Sequence, residues 1–358
     1  MYNKTIAFAN HSLASGGAER VISLLSSRFA EIGYKTLLIC NIHSDWEYPV
    51  NKKVERFYLN DGTSRCRAVA AFQRIWKLRQ ICKREKVDVL IGFMSMSEYS
   101  VYATIGLKTR NIISIRNAPD LLYPGMFKKI YTKVLLSFSD GAVFQTPDAR
   151  SWFTKSLQEK STIIYNPVGN QFYIKEHKPT PRLLVATGRL HEQKNYKLLI
   201  SAVAMVREKY DVRLDIYGRG RLEKELKCFV SDLGLNDCVT FRGQTDDIPS
   251  AIANADIFVL SSNFEGMPNG LMEAMAMGIP CVATDSPCGG SRMLIGQNER
   301  GILVPVEDKD SFATAIIDLL ENESKKNTVA LNAKEFANSF ILENVTKEWG
   351  DYISQLVD

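Results

Sequence analysis

No apolar run in this 358-residue chain approaches the roughly 20 residues needed to cross a bilayer. The best candidates, Val87–Met94 and Asp256–Leu260, have the length of buried strands. The start, Met1-Tyr2-Asn3-Lys4, passes at once into a strand-like run, without the apolar core and small-residue cleavage site of a secretory signal. Cysteine is scarce and unpatterned: seven residues, an odd number, with no Cys-x-x-Cys, which argues against a disulfide framework or a cysteine metal site and fits a reduced cytoplasmic protein. Asp246-Asp247 is adjacent and reads as a cap on a helix starting at Ile248, so no metal is expected. No two carboxylates are placed as the acid and nucleophile of a hydrolase. The first glycine-rich loop lacks the G-x-G-x-x-G of a dinucleotide fold.

What the chain does contain is an ordinary globular balance, 45% hydrophobic and 24% charged, and a length suited to two domains. Its charge is uneven. Residues 1–170 hold 24 Lys+Arg against 13 Asp+Glu, a net +11, and the remainder holds 21 against 27, a net −6. Such a division suits a first half facing an anionic surface or substrate. Strand-like runs at Thr5–Asn10, Thr36–Asn41, Val87–Phe93, Ile112–Ile115 and Gly141–Phe144 alternate with helical patterns. The polar segment Lys175–Arg182 follows Asn166-Pro167, and the rhythm restarts at Leu183–Thr187, Arg213–Tyr217, Val239–Arg242, Ile257–Leu260 and Pro280–Ala283. Strands alternating with helices imply parallel sheets covered on both faces. The expected fold class is α/β: two doubly wound Rossmann-like domains facing across a cleft, joined by a linker near 168–182. Ligands of such sheets bind outside the carboxyl ends of the strands.

Three loops carry the chemistry. Ser15-Gly16-Gly17 lies between the first strand and the first helix, where glycines and a helix N-terminus suit a phosphate, although a tight turn without ligand has the same pattern. Gly188-Arg189-Leu190 and Gln193-Lys194-Asn195 share one strand-to-helix loop; two fixed cations beside a helix N-terminus make a diphosphate clamp. Glu265-Gly266-Met267-Pro268-Asn269-Gly270-Leu271-Met272-Glu273 follows a buried strand and opens a helix, leaving free N–H groups for a phosphate and two carboxylates at different depths for sugar or ribose hydroxyls.

At Arg189, Lys194 and Glu265–Glu273 the sequence resembles the retaining glycosyltransferases of family 4, which have the two-domain GT-B fold and an E-x7-E signature. Gly16-Gly17, Gln145-Thr146-Pro147, Asn166-Pro167 and Phe241-Arg242-Gly243-Gln244 also match. The resemblance implies an acceptor-binding, membrane-facing domain over 1–170, a nucleotide-sugar domain over 171–340, and a helix, 341–358, crossing back to the first. It implies that Arg189 and Lys194 hold the donor diphosphate, that Glu265 meets the sugar hydroxyls and that Glu273 binds the ribose. Gly188 and the backbone of Gly266, Met267, Pro268, Asn269, Gly270 and Leu271 would line the donor, Gln244 would lie near the base, and Gly16 and Gly17 would close on the phosphate. Arg189, Lys194 and Glu265 are the implied catalytic residues. Many members carry a histidine in the first domain where this chain has Arg116, in Ser114-Ile115-Arg116-Asn117. No cofactor beyond a UDP-linked donor is implied, and no metal.

Eight cations from Arg65 to Lys86, including Arg67, Arg74, Lys77 and Arg84, fall in 22 residues opposed only by Glu85. At ~100° per residue Ala71, Ile75, Leu78 and Cys82 form one apolar stripe between them, with Trp76 pointing away. This is the pattern of an interfacial or lipid-diphosphate-binding helix, and equally of a core-facing stripe with a solvated back. Lys128, Lys129 and Lys133 with Tyr123, Met126 and Phe127 form a second basic-aromatic patch. Together with the resemblance, these features lead to an expected transferase. It moves a hexose or N-acetylhexosamine from UDP to a polyprenyl-diphosphate-linked glycan, in peripheral contact with an anionic membrane on its cytoplasmic face, with Arg67, Arg74, Lys77, Arg84 and Arg116 toward acceptor and membrane. The competing readings are a sugar-nucleotide epimerase of the same fold and a basic nucleic-acid-binding protein. The first needs an acid/base pair not visible here, and the second a recognition module that is absent.

Overall fold

The computed structural model describes residues 4–14, 16–60, 64 and 66–357; Ser15 and Arg65 lie outside them. The chain divides into two compact units, Met1–Pro167 with Leu342–Asp358, and Val168–Ile341. The first contains β1 (Thr5–Asn10), α1 (Gly17–Glu31), β2 (Lys35–Cys40), β3 (Glu55–Tyr58), α2 (Arg67–Arg84), β4 (Val89–Phe93), α3 (Met96–Thr104), β5 (Arg110–Ser114), α4 (Pro119–Leu122), α5 (Met126–Leu136), β6 (Gly141–Phe144), α6 (Pro147–Ser151), α7 (Lys155–Glu159) and β7 (Ser161–Ile163). Its strands form one parallel sheet in the order β3-β2-β1-β4-β5-β6-β7.

Alternation along the strands sorts the helices between the two faces. Ile6 and Phe8 of β1 pack with Val21, Leu25 and Phe29 of α1 and with Trp349 and Ile353 near the C-terminus. Ala7 and Ala9 pack with Leu78 and Cys82 of α2 and Met96 of α3. On β5, Ile112 joins the first group, while Ile113 packs with Val101 of α3 and Leu135 and Leu136 of α5. One face of the sheet is therefore covered by α2, α3 and α5, and the other by α1 and the last helix.

The second unit contains α8 (Gln171–Ile174), β8 (Leu183–Thr187), a 3-10 turn (Glu192–Lys194), α9 (Tyr196–Arg207), β9 (Arg213–Tyr217), α10 (Glu223–Asp232), β10 (Val239–Gly243), α11 (Ile248–Ile252), β11 (Ile257–Leu260), α12 (Asn269–Ala276), β12 (Cys281–Thr284), α13 (Gly290–Ile295), β13 (Ile302–Val304), α14 (Lys309–Glu321) and α15 (Glu323–Phe336). Its parallel sheet runs β10-β9-β8-β11-β12-β13, so strand order reverses between β8 and β11. The segment expected as a linker, 168–182, is part of this unit. Val168 pairs with Ile341, and the Lys178 and Thr180 N–H groups donate to the Ala253 and Asn254 carbonyls at 2.9 Å each. Its prolines and charges suit a docked, solvent-facing strap as well as a free linker.

The final helix, α16 (Leu342–Val357), belongs to the first unit. Buried Tyr352 accepts from the Ala142 N–H at 2.9 Å and donates to the Lys160 carbonyl at 2.5 Å. Burial pushes its phenol up to about 12, which keeps the donating proton in place. Tyr352→Phe is expected to strand both backbone groups and cost about 1–2 kcal/mol, read as a lower urea midpoint with an unchanged m-value.

Candidate active site

Two loops meet at the carboxyl ends of β8 and β11, on either side of the point where the strand order reverses, the usual ligand position in such sheets. The first runs from Gly188 to Asn195. Asn195 adopts a left-handed backbone, φ 43°, and caps α9 by accepting from the Leu198 N–H at 3.2 Å. That reversal brings Lys194 back over the loop. Gly188, at φ 147°, makes room for it: a Cβ there would stand 2.8 Å from Lys194 Cε.

The second loop, 261–268, is stitched to the first. The Asn263 N–H donates to the Gln193 carbonyl at 2.8 Å, Ser261 Oγ to the Lys194 carbonyl at 2.8 Å, and Asn195 Nδ2 to Asn263 Oδ1 at 2.8 Å. These bonds fix the central contact, Lys194 Nζ to Glu265 Oε1 at 2.6 Å, with the side chains 19% and 10% exposed. Ser262 Oγ donates to the same oxygen at 2.8 Å. Tyr196 donates to the Gly188 carbonyl at 3.1 Å, and burial, aided by the Glu265 carboxylate, pushes its phenol up so that the proton stays.

Arg189 is exposed and makes no side-chain bond among the described residues. Gly266, Met267 and Pro268 lead into α12, whose first turn carries Asn269, Gly270 and Leu271. Glu273 sits on the same helix, buried at 4% exposure, with Met267 and Leu271 also buried. Gln244 is exposed just beyond β10, two strands from β8. The sequence-predicted residues Gly188, Lys194, Glu265 and the α12 turn are thus brought together at one sheet end. Ser262 and Asn263, which hold them together with Asn195, escape sequence reasoning: a serine and an asparagine in a loop carry no signal until the fold places them.

In the first unit, Gly16 stands at the N-terminus of α1, ahead of Gly17. Arg116, expected among the acceptor- and membrane-facing cations, is buried instead. Its Nε donates to Ser114 Oγ at 2.9 Å, its Nη1 bonds Asn166 Oδ1, and the guanidinium lies 5.2 Å and 5.7 Å from the Phe93 and Trp349 ring centroids. Burial pushes its pKa down to about 9. The basic helix also departs from expectation. The stripe through Ile75, Leu78 and Cys82 faces the core with Ala7 and Leu37. Arg74 bonds Asn60 Oδ1 at 2.7 Å and Lys77 the Leu59 carbonyl at 3.1 Å, Arg84 reaches Glu85 at 2.7 Å, and Arg67 is exposed at the start of the helix. The core-facing alternative holds for that stripe.

A cation hydrogen-bonded to a carboxylate beside a helix N-terminus, at the switch point of a parallel sheet, can receive a phosphate and a polyol together. The profile of the family described as "Glycosyl transferases group 1" matches residues 169–336, the unit that holds this arrangement. That unit therefore carries a glycosyltransferase domain, and the chain is a glycosyltransferase. Over 96% of its length it is 26% identical to the N-acetylgalactosamine-N,N'-diacetylbacillosaminyl-diphospho-undecaprenol 4-alpha-N-acetylgalactosaminyltransferase of Campylobacter jejuni, 97% of which is covered. It is 30% identical, over 48% of its own length and 45% of the relative's, to the UDP-Gal:alpha-D-GlcNAc-diphosphoundecaprenol alpha-1,3-galactosyltransferase of Escherichia coli. Among solved structures, Anabaena HepE in complex with UDP superposes with TM-score 0.82 at 18% identity, covering 98% of this chain and 100% of that one. The glycosyltransferase fold, GT-B, thus agrees with the expected class. No helix of the described residues is long and apolar enough to cross a membrane, and none of their His, Cys, Asp and Glu side chains group in threes as a metal site.

Proposed function

We propose that this glycosyltransferase moves a hexose or N-acetylhexosamine from UDP onto a polyprenyl-diphosphate-linked glycan, retaining the anomeric configuration and using no metal. The setting is surface-polysaccharide or glycoprotein-glycan assembly at the cytoplasmic face of the membrane. The observation that carries the reading is the 2.6 Å pair of Lys194 and Glu265 at the mouth of the β8–β11 switch point. The names of the C. jejuni and E. coli relatives, both diphospho-undecaprenol transferases, support the acceptor class.

In this reading Arg189 and Lys194 hold the donor diphosphate. When the bond from the anomeric carbon to the phosphate oxygen breaks, negative charge grows on the leaving UDP. Fixed cations and the N–H groups of Gly266–Leu271 at the α12 N-terminus stabilise it; preorganised charges and dipoles of this kind commonly supply most of an enzyme's rate enhancement. Glu265 accepts hydroxyl hydrogen bonds from the transferred sugar, Glu273 from the ribose, and Gln244 lies beside the base. Incubation with radiolabelled UDP-glucose, UDP-galactose, UDP-GlcNAc and UDP-GalNAc and an undecaprenyl-diphosphate glycan is expected to give transfer from one donor, undiminished by EDTA. Transfer from none of the four would overturn the reading.

A further inference from the structure

Helix α5 is folded with its apolar side out. Only Thr132, Leu135 and Leu136 of its 11 residues are buried. Met126, Phe127, Ile130, Tyr131 and Val134 are exposed, as is Phe138 just after it, with Phe127 at 86% and Phe138 at 75%. At ~100° per residue these six side chains occupy an outward arc of about 140°. Lys128 borders one margin of the arc and Lys129 and Lys133 the other. The lysine ammonium groups sit over aromatic rings, Lys128 Nζ 5.7 Å from the Tyr123 centroid and Lys133 Nζ 4.6 Å from that of Trp152, and Lys129 is also paired with Asp120 at 2.7 Å.

The exposure is not scattered. Of the fifteen large hydrophobic side chains that stand exposed among the described residues, eleven lie between Val69 and Phe138. Val69, Phe72 and Trp76 form an outward stripe on α2, opposite the core-facing one. Helices α2 and α5 both pack against α3 on the same face of the sheet, so both stripes belong to the outer surface of one helical layer. Exposed apolar side chains concentrated in this way on one layer point to an interaction site.

We infer that this layer is the membrane-docking face: α5 lies in the plane of an anionic bilayer, its aromatic and aliphatic arc in the headgroup–acyl boundary and Lys128, Lys129 and Lys133 on lipid phosphates. The chemistry of the rim selects this occupant. An apolar arc with lysines on both margins and no carboxylate in the helix complements an anionic lipid surface, and aromatic side chains sit well at headgroup depth. The inference rests on the lipid-linked acceptor proposed above and moves the contact from the cations of α2 to α5.

The test is flotation of the full chain with vesicles of phosphatidylglycerol and phosphatidylcholine (3:7) or of phosphatidylcholine alone. The wild type is expected to float with the anionic vesicles, less so in high salt. Phe127→Ser with Ile130→Ser is expected to weaken that partition about ten-fold or more, with an unchanged circular dichroism spectrum and unchanged UDP binding. Arg67→Ser with Arg84→Ser is expected to lower it less. Equal flotation of wild type and F127S/I130S overturns the inference. So does a wild-type dimer that F127S/I130S converts to monomer without any vesicle binding, which would make the face a contact between copies. Transfer to a short-chain, water-soluble acceptor separates this from the functional reading: transfer without vesicle binding sinks the docking face alone, and vesicle binding lost in F127S/I130S without any transfer sinks the acceptor reading alone.

Discussion

Lys194→Ala is expected to lower turnover some hundred- to thousandfold, the range seen when one preorganised charge-stabilising donor is removed from an active site. The variant loses the cation proposed to face the leaving diphosphate, and it also frees Glu265, whose carboxylate keeps only the Ser262 hydrogen bond at 2.8 Å among the contacts at Oε1. A carboxylate no longer neutralised repels the incoming donor phosphates, so KM rises together with the fall in kcat. Stability changes less. Both side chains retain some contact with water, and the loop bonds through Asn263, Ser261 and Asn195 do not involve the lysine side chain. The cost to folding is expected to stay within about 2 kcal/mol. Lys194→Arg keeps the charge but replaces a compact ammonium with a planar fork, and restores only part of the rate. UDP release under saturating donor, measured beside thermal unfolding, decides the matter. An unfolded Lys194→Ala variant, or one with full turnover, contradicts the role assigned to this lysine.

The proposed clamp is legible in the sequence because its parts are local. Gly188, Arg189 and Lys194 share one loop, and Glu265 to Glu273 one loop and helix, so spacing alone brings them near a helix N-terminus. The residues that tie those loops together are separated by some 70 positions, as Asn195 and Asn263 are, and no local pattern announces them. Edge strands escape sequence reading for a related reason. β3 and β7 are short and only partly buried, and they lack the apolar run that marks β1 or β4. Periodicity also finds a stripe without saying which side it faces. The stripe on α2 reads as apolar and lies against the core, whereas the stripe on α5 faces outward. Arg116 shows the limit for charge: in a basic half of the chain it reads as a surface cation, yet Ser114, Asn166 and two aromatic rings enclose it.

Gly218→Ala is expected to damage the second unit severely. Gly218 follows β9 and sits at φ 147°, a region side chains rarely adopt. A Cβ there would stand 1.9 Å from the Gly188 carbonyl oxygen and 2.8 Å from its carbon. Both are backbone atoms, and neither can swing aside. The Gly188 N–H is tied to the Tyr217 carbonyl at 2.9 Å, and its carbonyl to Tyr196 at 3.1 Å. Making room therefore means pulling the ends of β8 and β9 apart and moving the loop on which the Lys194 side chain rests. The expected loss is about 3 kcal/mol or more, a fall in melting temperature of roughly 6 °C or more for a unit of this size, with weaker UDP binding at temperatures where the variant is still folded. Gly234→Ala provides the comparison. Gly234 also has a positive φ, +69°, but a Cβ there meets nothing within 4 Å. It is expected to cost only about 1 kcal/mol and to leave UDP binding as it was. Equal destabilisation by the two substitutions would show that backbone strain, and not the collision with Gly188, governs both sites, and Gly218 would then have no part in supporting the clamp.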